Sequence, residues 1–216
     1  MRVLLLSFVL FITCKTAFSQ EWRTYEFRNG DLLFQDLDCG PLCDAIEKVT
    51  PDYQGRRFSH VGIVYKTDQA CYVIEAVGAG VKRTPVDSFI LRQTDGSGAP
   101  KVGVGRLVPD RRHLIDSALS FCLRQIGKPY DQYFLYEPDS YYCSELIYDA
   151  LMAANNGIPV FQLSPMTFKD PETQNYFPAW EQYYSRLDEE IPEGQPGCNP
   201  GSIANEPAVE ILNFFY

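Results

Sequence analysis

Two β-rich runs, residues 58–66 and 71–77, flank one short polar turn, Thr67-Asp68-Gln69-Ala70. A turn of that length joins them as an antiparallel hairpin. If it closes symmetrically about Asp68-Gln69, His60 faces Val77 and Gly62 faces Glu75. Strand side chains alternate between faces, so Glu75 shares a face with His60, diagonally across the ladder at roughly 7–8 Å between backbones. A one-residue slip would put them on opposite faces. Val73 and Val77 make that face apolar, so an unpaired carboxylate there is costly, and pairing with His60 offsets the cost. Pairing with a nearby Lys or Arg, such as Lys82, is the alternative. Glycine weakens a strand interior unless something must come close, so a helix is expected over Gly62 with its first turn near His60.

That helix has a candidate. Asp139-Ser140 offers an N-cap for a helix over residues 141–154, which Asn155-Asn156-Gly157 stops. Cys143 then falls at about the third position. The partial positive charge of a helix N-terminus favours a thiolate there. Position alone leaves a buried structural cysteine equally open. The chain holds two histidines, His60 and His113, and the latter sits in the charged stretch Asp110-Arg-Arg-His113, which reads as solvated. Cys143, His60 and Glu75 together supply a nucleophile, a base and a group that orients the base.

Around them the pattern reads as α+β, a small antiparallel sheet with helices packed on it. Further strands are expected at residues 31–35, 80–84 and 101–108, with an edge strand in 208–216. Helices are expected at 44–49, in a turn through 85–91, and over 110–126 with Asp110 as its cap. Residues 188–207, rich in Pro, Gly and acids, read as an irregular loop. No repeat or linker divides residues 20–216, so one domain is expected.

Residues 3–13 form an apolar run after Met1-Arg2, too short to span a bilayer, which needs roughly 20 apolar residues. With Ala17-Phe18-Ser19 behind it, the run reads as a signal peptide cleaved before Gln20. Lipidation at Cys14 fits less well, because Thr13 and Phe11 suit that processing poorly. The expectation is export to a periplasm or beyond, with no stable membrane insertion after cleavage. With 19 basic against 28 acidic residues and a net charge of -9, broad nucleic-acid binding is excluded. Export permits disulfides, and Cys39-Gly-Pro-Leu-Cys43 can bridge locally. If Cys143 stays a thiol, at least one more of Cys39, Cys43, Cys71, Cys122 and Cys198 is unpaired. Structural zinc wants four ligands and no second close cysteine pair is visible, so neither metal nor cofactor is expected.

The chain resembles the permuted papain-like amidases, the YiiX/YaeF-type branch of the NlpC/P60 superfamily. The resemblance rests on Gly30-Asp-Leu-Leu-Phe34, Phe58-Ser-His-Val-Gly-Ile63, Val73-Ile-Glu-Ala76, Gly127-Lys-Pro-Tyr-Asp131 and Tyr142-Cys-Ser-Glu-Leu-Ile147, in family order. Histidine and glutamate precede cysteine, which marks the permuted branch. The resemblance implies Cys143 as nucleophile, His60 as base and then acid, and Glu75 as its orienting partner. Tyr142 and Tyr130 would line the substrate cleft, and backbone N–H groups at the helix start would hold the oxyanion. It further implies hydrolysis of an amide through a thioester, on cell-wall peptides or N-acyl amino acids. Acyl transfer of the lecithin:retinol acyltransferase type and a non-catalytic binding module are the rival readings. The part after Phe168 has no counterpart in the resemblance.

Overall fold

The computed structural model describes residues 21–136 and 139–216. The expected signal segment, with Cys14, lies outside the described residues. Six strands form one antiparallel sheet in the order β4-β3-β2-β1-β5-β8. These are β1 (Leu32–Gln35), β2 (His60–Lys66), β3 (Cys71–Val77), β4 (Gly80–Pro85), β5 (Val102–Leu107) and β8 (Val209–Phe214). A separate two-residue ribbon pairs β6 (Ser164–Pro165) with β7 (Pro196–Gly197). The β2–β3 hairpin has the symmetric register, with Ile63 opposite Ile74 and Val64 opposite Val73. β8 closes the edge beside β5, as its alternating pattern suggests.

The helices are α1 (Glu21–Thr24), α2 (Pro41–Val49), α3 (Val86–Ile90), α4 (Ile115–Gln125), α5 (Cys143–Ala154), α6 (Pro178–Leu187) and α7 (Pro200–Ala204). Three differences from expectation stand out. The segment beginning at Pro109 is a 3-10 turn through Leu114 before α4 begins, because Pro109 opens a tight turn and Asp110 makes no side-chain cap. The stretch 188–207 is not wholly irregular. It contains α7, where Asn199 accepts from the Ser202 N–H at 2.7 Å and caps a helix opened by Pro200. Finally, α5 starts at Cys143 itself, with Tyr142 rather than Ser140 in the cap position.

Each face of the sheet has its own core. Leu32, Phe34, Val61, Ile63, Ile74 and Ala76 pack against α4 and α5, through Leu119, Leu146, Ile147 and Ala150. Leu33, Val64, Val73, Val102 and Val104 pack against Trp22, Phe27, Phe215 and the α3 residues Val86, Phe89 and Ile90. Hence α5 lies on the Val61 face, opposite Gly62, and the expectation of a helix over Gly62 is corrected. A Cβ on Gly62 would meet Val73 Cγ1 at 2.4 Å and the Glu75 Cβ at 3.2 Å. The close approach is made by neighbouring side chains of the sheet itself. A third cluster joins α2 and α6 through Ala45, Phe168, Trp180 and Tyr184.

Candidate active site

His60 is the first residue of β2 and pairs with Gln35 at the end of β1. Placed at the strand end, its ring can reach around the sheet to the first residue of α5 on the other face. Cys143, His60 and Glu75 are all buried, at 6%, 3% and 0% exposure. The Glu75 Oε2 lies 2.6 Å from His60 Nε2. His60 and the Cys143 thiol are also close enough to shift each other through hydrogen bonding and charge. With Nε2 held by Glu75, Nδ1 is the nitrogen left for sulfur. Lys82, the cross-strand neighbour of Glu75, does not take the carboxylate, but an arginine, Arg92, shares it with His60.

The electrostatics follow from this chain of contacts. Burial favours a neutral imidazole, but hydrogen bonds to Cys143 and Glu75 outweigh it and raise His60 to about 9. Burial likewise opposes the Glu75 charge, yet His60, Arg92 and Thr84 hold that carboxyl down at about 2. Burial pushes the Cys143 thiol up, and the His60 hydrogen bond and charge, with backbone N–H groups of Val61 and Ser144, bring it below its ordinary value. The other free cysteines among the described residues behave oppositely. Burial raises Cys71, pushes Cys122 up to about 12, and raises Cys198 further. A thiolate–imidazolium pair at Cys143 and His60 is the arrangement these environments favour.

Arg92 was not legible in the sequence. It follows α3 in the polar stretch Arg92-Gln-Thr-Asp95, and its guanidinium grips both Glu75 oxygens, Nη1 to Oε2 at 3.0 Å and Nη2 to Oε1 at 2.5 Å. Thr84 Oγ1 donates to Oε1 as well, at 2.5 Å. No spacing rule would have singled out either residue.

Beside Cys143 lies a cavity of about 120 Å³. Tyr130 and Tyr142 both line it. The Tyr142 hydroxyl accepts from the Cys198 N–H at 3.2 Å, which fixes the ring. Burial first, then the Cys143 charge, hold the Tyr130 phenol well above its usual range, so it stays protonated. Ile46, Val49, Phe134, Met166, Phe168 and Trp180 supply apolar walls, Thr50, Ser59, Thr167 and Asn199 add uncharged polar groups, and among the described residues no Asp, Glu, Lys, Arg or His lines the cavity. Trp180, Gly197, Cys198, Asn199 and Pro200, which also line it, come from the part after Phe168 that has no counterpart in the sequence resemblance. A larger hollow beside Val108, Tyr148 and Phe161 carries no nucleophile. The disulfide Cys39–Cys43 straddles the start of α2, the helix that contributes Ile46 and Val49.

Residues 26–213 match the model of the permuted papain-like amidase enzymes, YaeF/YiiX, C92 family, and the chain belongs to this family. It is 32% identical over 149 residues to the uncharacterized protein YiiX of Escherichia coli (strain K12). That match takes in 68% of this chain but 64% of YiiX, less than two thirds of the relative's length. The crystal structure of metalloprotein yiiX from Escherichia coli O157:H7 superposes with a TM-score of 0.68, covering 88% of this chain and 98% of that one. At 23% identity this second likeness establishes the fold.

Proposed function

We propose that this member of the permuted papain-like amidases is an exported cysteine hydrolase that cleaves N-acyl amides through a thioester on Cys143. The observation that carries the choice of substrate is the uncharged, aromatic cavity beside the nucleophile. Cell-wall peptides bring carboxylates and ammonium groups that would meet no opposite charge there among the described residues, at a desolvation cost. An apolar acyl chain buries its surface there instead, at about 25 cal/mol per Å². The favoured substrate is therefore an amine or amino acid carrying an apolar acyl group.

In the reaction, the Cys143 sulfur attacks the amide carbonyl carbon, and the oxyanion forms near the backbone N–H groups at the start of α5. The imidazolium of His60 gives its proton to the leaving nitrogen as the C–N bond breaks, and a thioester remains. His60, now neutral, takes a proton from water as the hydroxyl oxygen attacks the thioester carbon. The C–S bond breaks, the acid departs, and the thiolate–imidazolium pair returns. Glu75 keeps the ring oriented throughout and remains ionised.

The related YiiX structure is described as that of a metalloprotein. Both Glu75 oxygens are taken by His60, Thr84 and Arg92, which leaves Cys143 and His60 Nδ1 as donors. Among the described residues no group of three or more His, Cys, Asp and Glu converges. Two donors do not fit a closed zinc site, which takes four ligands, and no step above uses a metal. No described helix is long and apolar enough to cross a membrane.

Purified protein should be offered N-acyl amino acids of graded chain length and muropeptides, with products read by mass spectrometry. Release of free fatty acid that Cys143→Ser abolishes supports the proposal. Turnover confined to muropeptides would overturn the substrate class, and full activity in Cys143→Ser would overturn the nucleophile.

A further inference from the structure

The Glu75 carboxylate has more partners than orienting one imidazole requires. Besides His60 it accepts from Thr84 and from both terminal nitrogens of Arg92. Arg92 sits just past α3, its guanidinium 5.1 Å from the centre of the Phe89 ring. The His60 ring lies 5.8 Å from that same Phe89 ring. The Phe89 carbonyl in turn accepts from Gln35 Nε2 at 2.8 Å, which ties the end of α3 to the strand beside His60. Arg92 is thus braced on the residue that forms the floor under the imidazole. Its side chain is 26% exposed while that of Glu75 is fully buried.

We propose that Arg92 is a positioning residue of this site, whose guanidinium fork fixes the Glu75 carboxylate against His60 and shares that carboxylate's charge. The proposal rests on the cysteine-hydrolase reading. A planar fork that meets both oxygens fixes a carboxylate's rotation as one point charge cannot. The charge matters separately. A buried carboxylate facing the imidazolium alone would make His60 bind its proton more tightly. His60 must hold that proton to keep Cys143 ionised and then release it to the leaving nitrogen, and an over-basic imidazolium is a poor acid. With Arg92 in place the charges alternate from Cys143 through His60 and Glu75 to Arg92, and the buried cluster carries no net charge. Among the described residues, the charged and titratable groups facing His60 are Glu75 from β3 and Cys143 from α5. Arg92 acts on it through Glu75, and the protonated Tyr130 faces Cys143.

The chain has two imidazoles, and His113 is exposed, so an NMR titration of the labelled rings reports His60 with an internal reference. Arg92→Gln should raise the His60 midpoint by about one unit, whereas Glu75→Gln should lower it. Arg92→Lys, which keeps the charge, should leave the midpoint near that of the wild type. If Arg92→Gln fails to fold, Arg92→Met keeps the apolar stem over Phe89 and replaces it. An unmoved or lowered midpoint in the folded Gln or Met variant overturns the proposal, as does a Lys variant that shifts as far as Gln. The titration needs no substrate, so its failure is distinct from failure of the amide-hydrolysis reading, which the Cys143→Ser turnover assay decides.

Discussion

His60 Nε2 and Glu75 Oε2 meet at 2.6 Å across a diagonal of the β2–β3 hairpin, beside a residue that has no side chain. A methyl group on Gly62 would stand 2.4 Å from Val73 Cγ1, 3.2 Å from the Glu75 Cβ and 3.2 Å from the Ile74 carbonyl oxygen. The glycine keeps clear the space in which the Glu75 side chain leaves its strand, so a substitution there acts on packing and on the site at once.

Gly62→Ala is expected to destabilise the protein by about 1–3 kcal/mol through overpacking. It should also move Glu75 and slow the alkylation of Cys143 by iodoacetamide at neutral pH. Thermal melting and the alkylation rate check the two effects. Wild-type behaviour in both would show that the hairpin absorbs the methyl group without moving the carboxylate.

The pairing of His60 with Glu75 was legible because a short symmetric turn fixes register, and register fixes which residues share a face. The side of the sheet taken by α5 was not. Alternation says that Val61 and Gly62 point apart, but both faces here are apolar, and nothing in the hairpin states which one a distant helix covers. The cap of α5 was misplaced for a related reason. Asp139-Ser140 has the right side chains, yet the Tyr130–Tyr141 bridge keeps the chain extended through Tyr141. Glu145 then reaches back to the Tyr142 N–H at 3.2 Å. Arg92 and the cavity walls from residues 164–200 depend on tertiary approach between segments far apart in the chain, which no local pattern encodes.

The Cys39–Cys43 disulfide closes a very short loop at the head of α2. Loop-closure entropy for so few residues stabilises by only about 2 kcal/mol. Its larger expected effect is on binding, because α2 carries Ile46 and Val49 into the cavity. The Cys39→Ser/Cys43→Ser double variant should raise KM for an N-acyl substrate more than it lowers kcat. A kcat loss at unchanged KM would count against a role in shaping the cavity.

Glu47 gives a stability signature of its own. Burial first, then the Asp36 carboxylate beside it, raise Glu47 from 4.5 to about 7. The folded state therefore binds this proton more tightly than the unfolded chain, and the contribution is lost as pH rises from 4.5 through about 7. Glu47→Gln removes the titration and should stabilise the protein at pH 8, with little effect at pH 4. Urea unfolding at the two values is the check. Equal shifts at both would place the effect elsewhere.

The last prediction concerns the two linkages that meet at the nucleophile. The folded His60 holds its proton up to about 9 against 6.5 when unperturbed, so its contribution is complete below 6.5 and lost as pH rises through about 9. Cys143 has the opposite sign. Its folded value lies below 9.0, so its contribution is present above 9.0 and lost as pH falls through the folded value. In the thiolate–imidazolium state the folded pair carries one proton, on the imidazole, and between pH 7 and 9 the unfolded pair also carries one, on the thiol. The two slopes offset each other, so this pair should leave wild-type stability nearly level across that range. Cys143→Ser removes one side of the balance. Glu75 still holds His60 above its unfolded value, so the variant's stability should decline relative to wild type as pH rises from 7 to 9. Urea unfolding of both proteins at pH 7, 8 and 9 measures the difference directly, and parallel curves would mean that the thiolate–imidazolium pair is not the resting state.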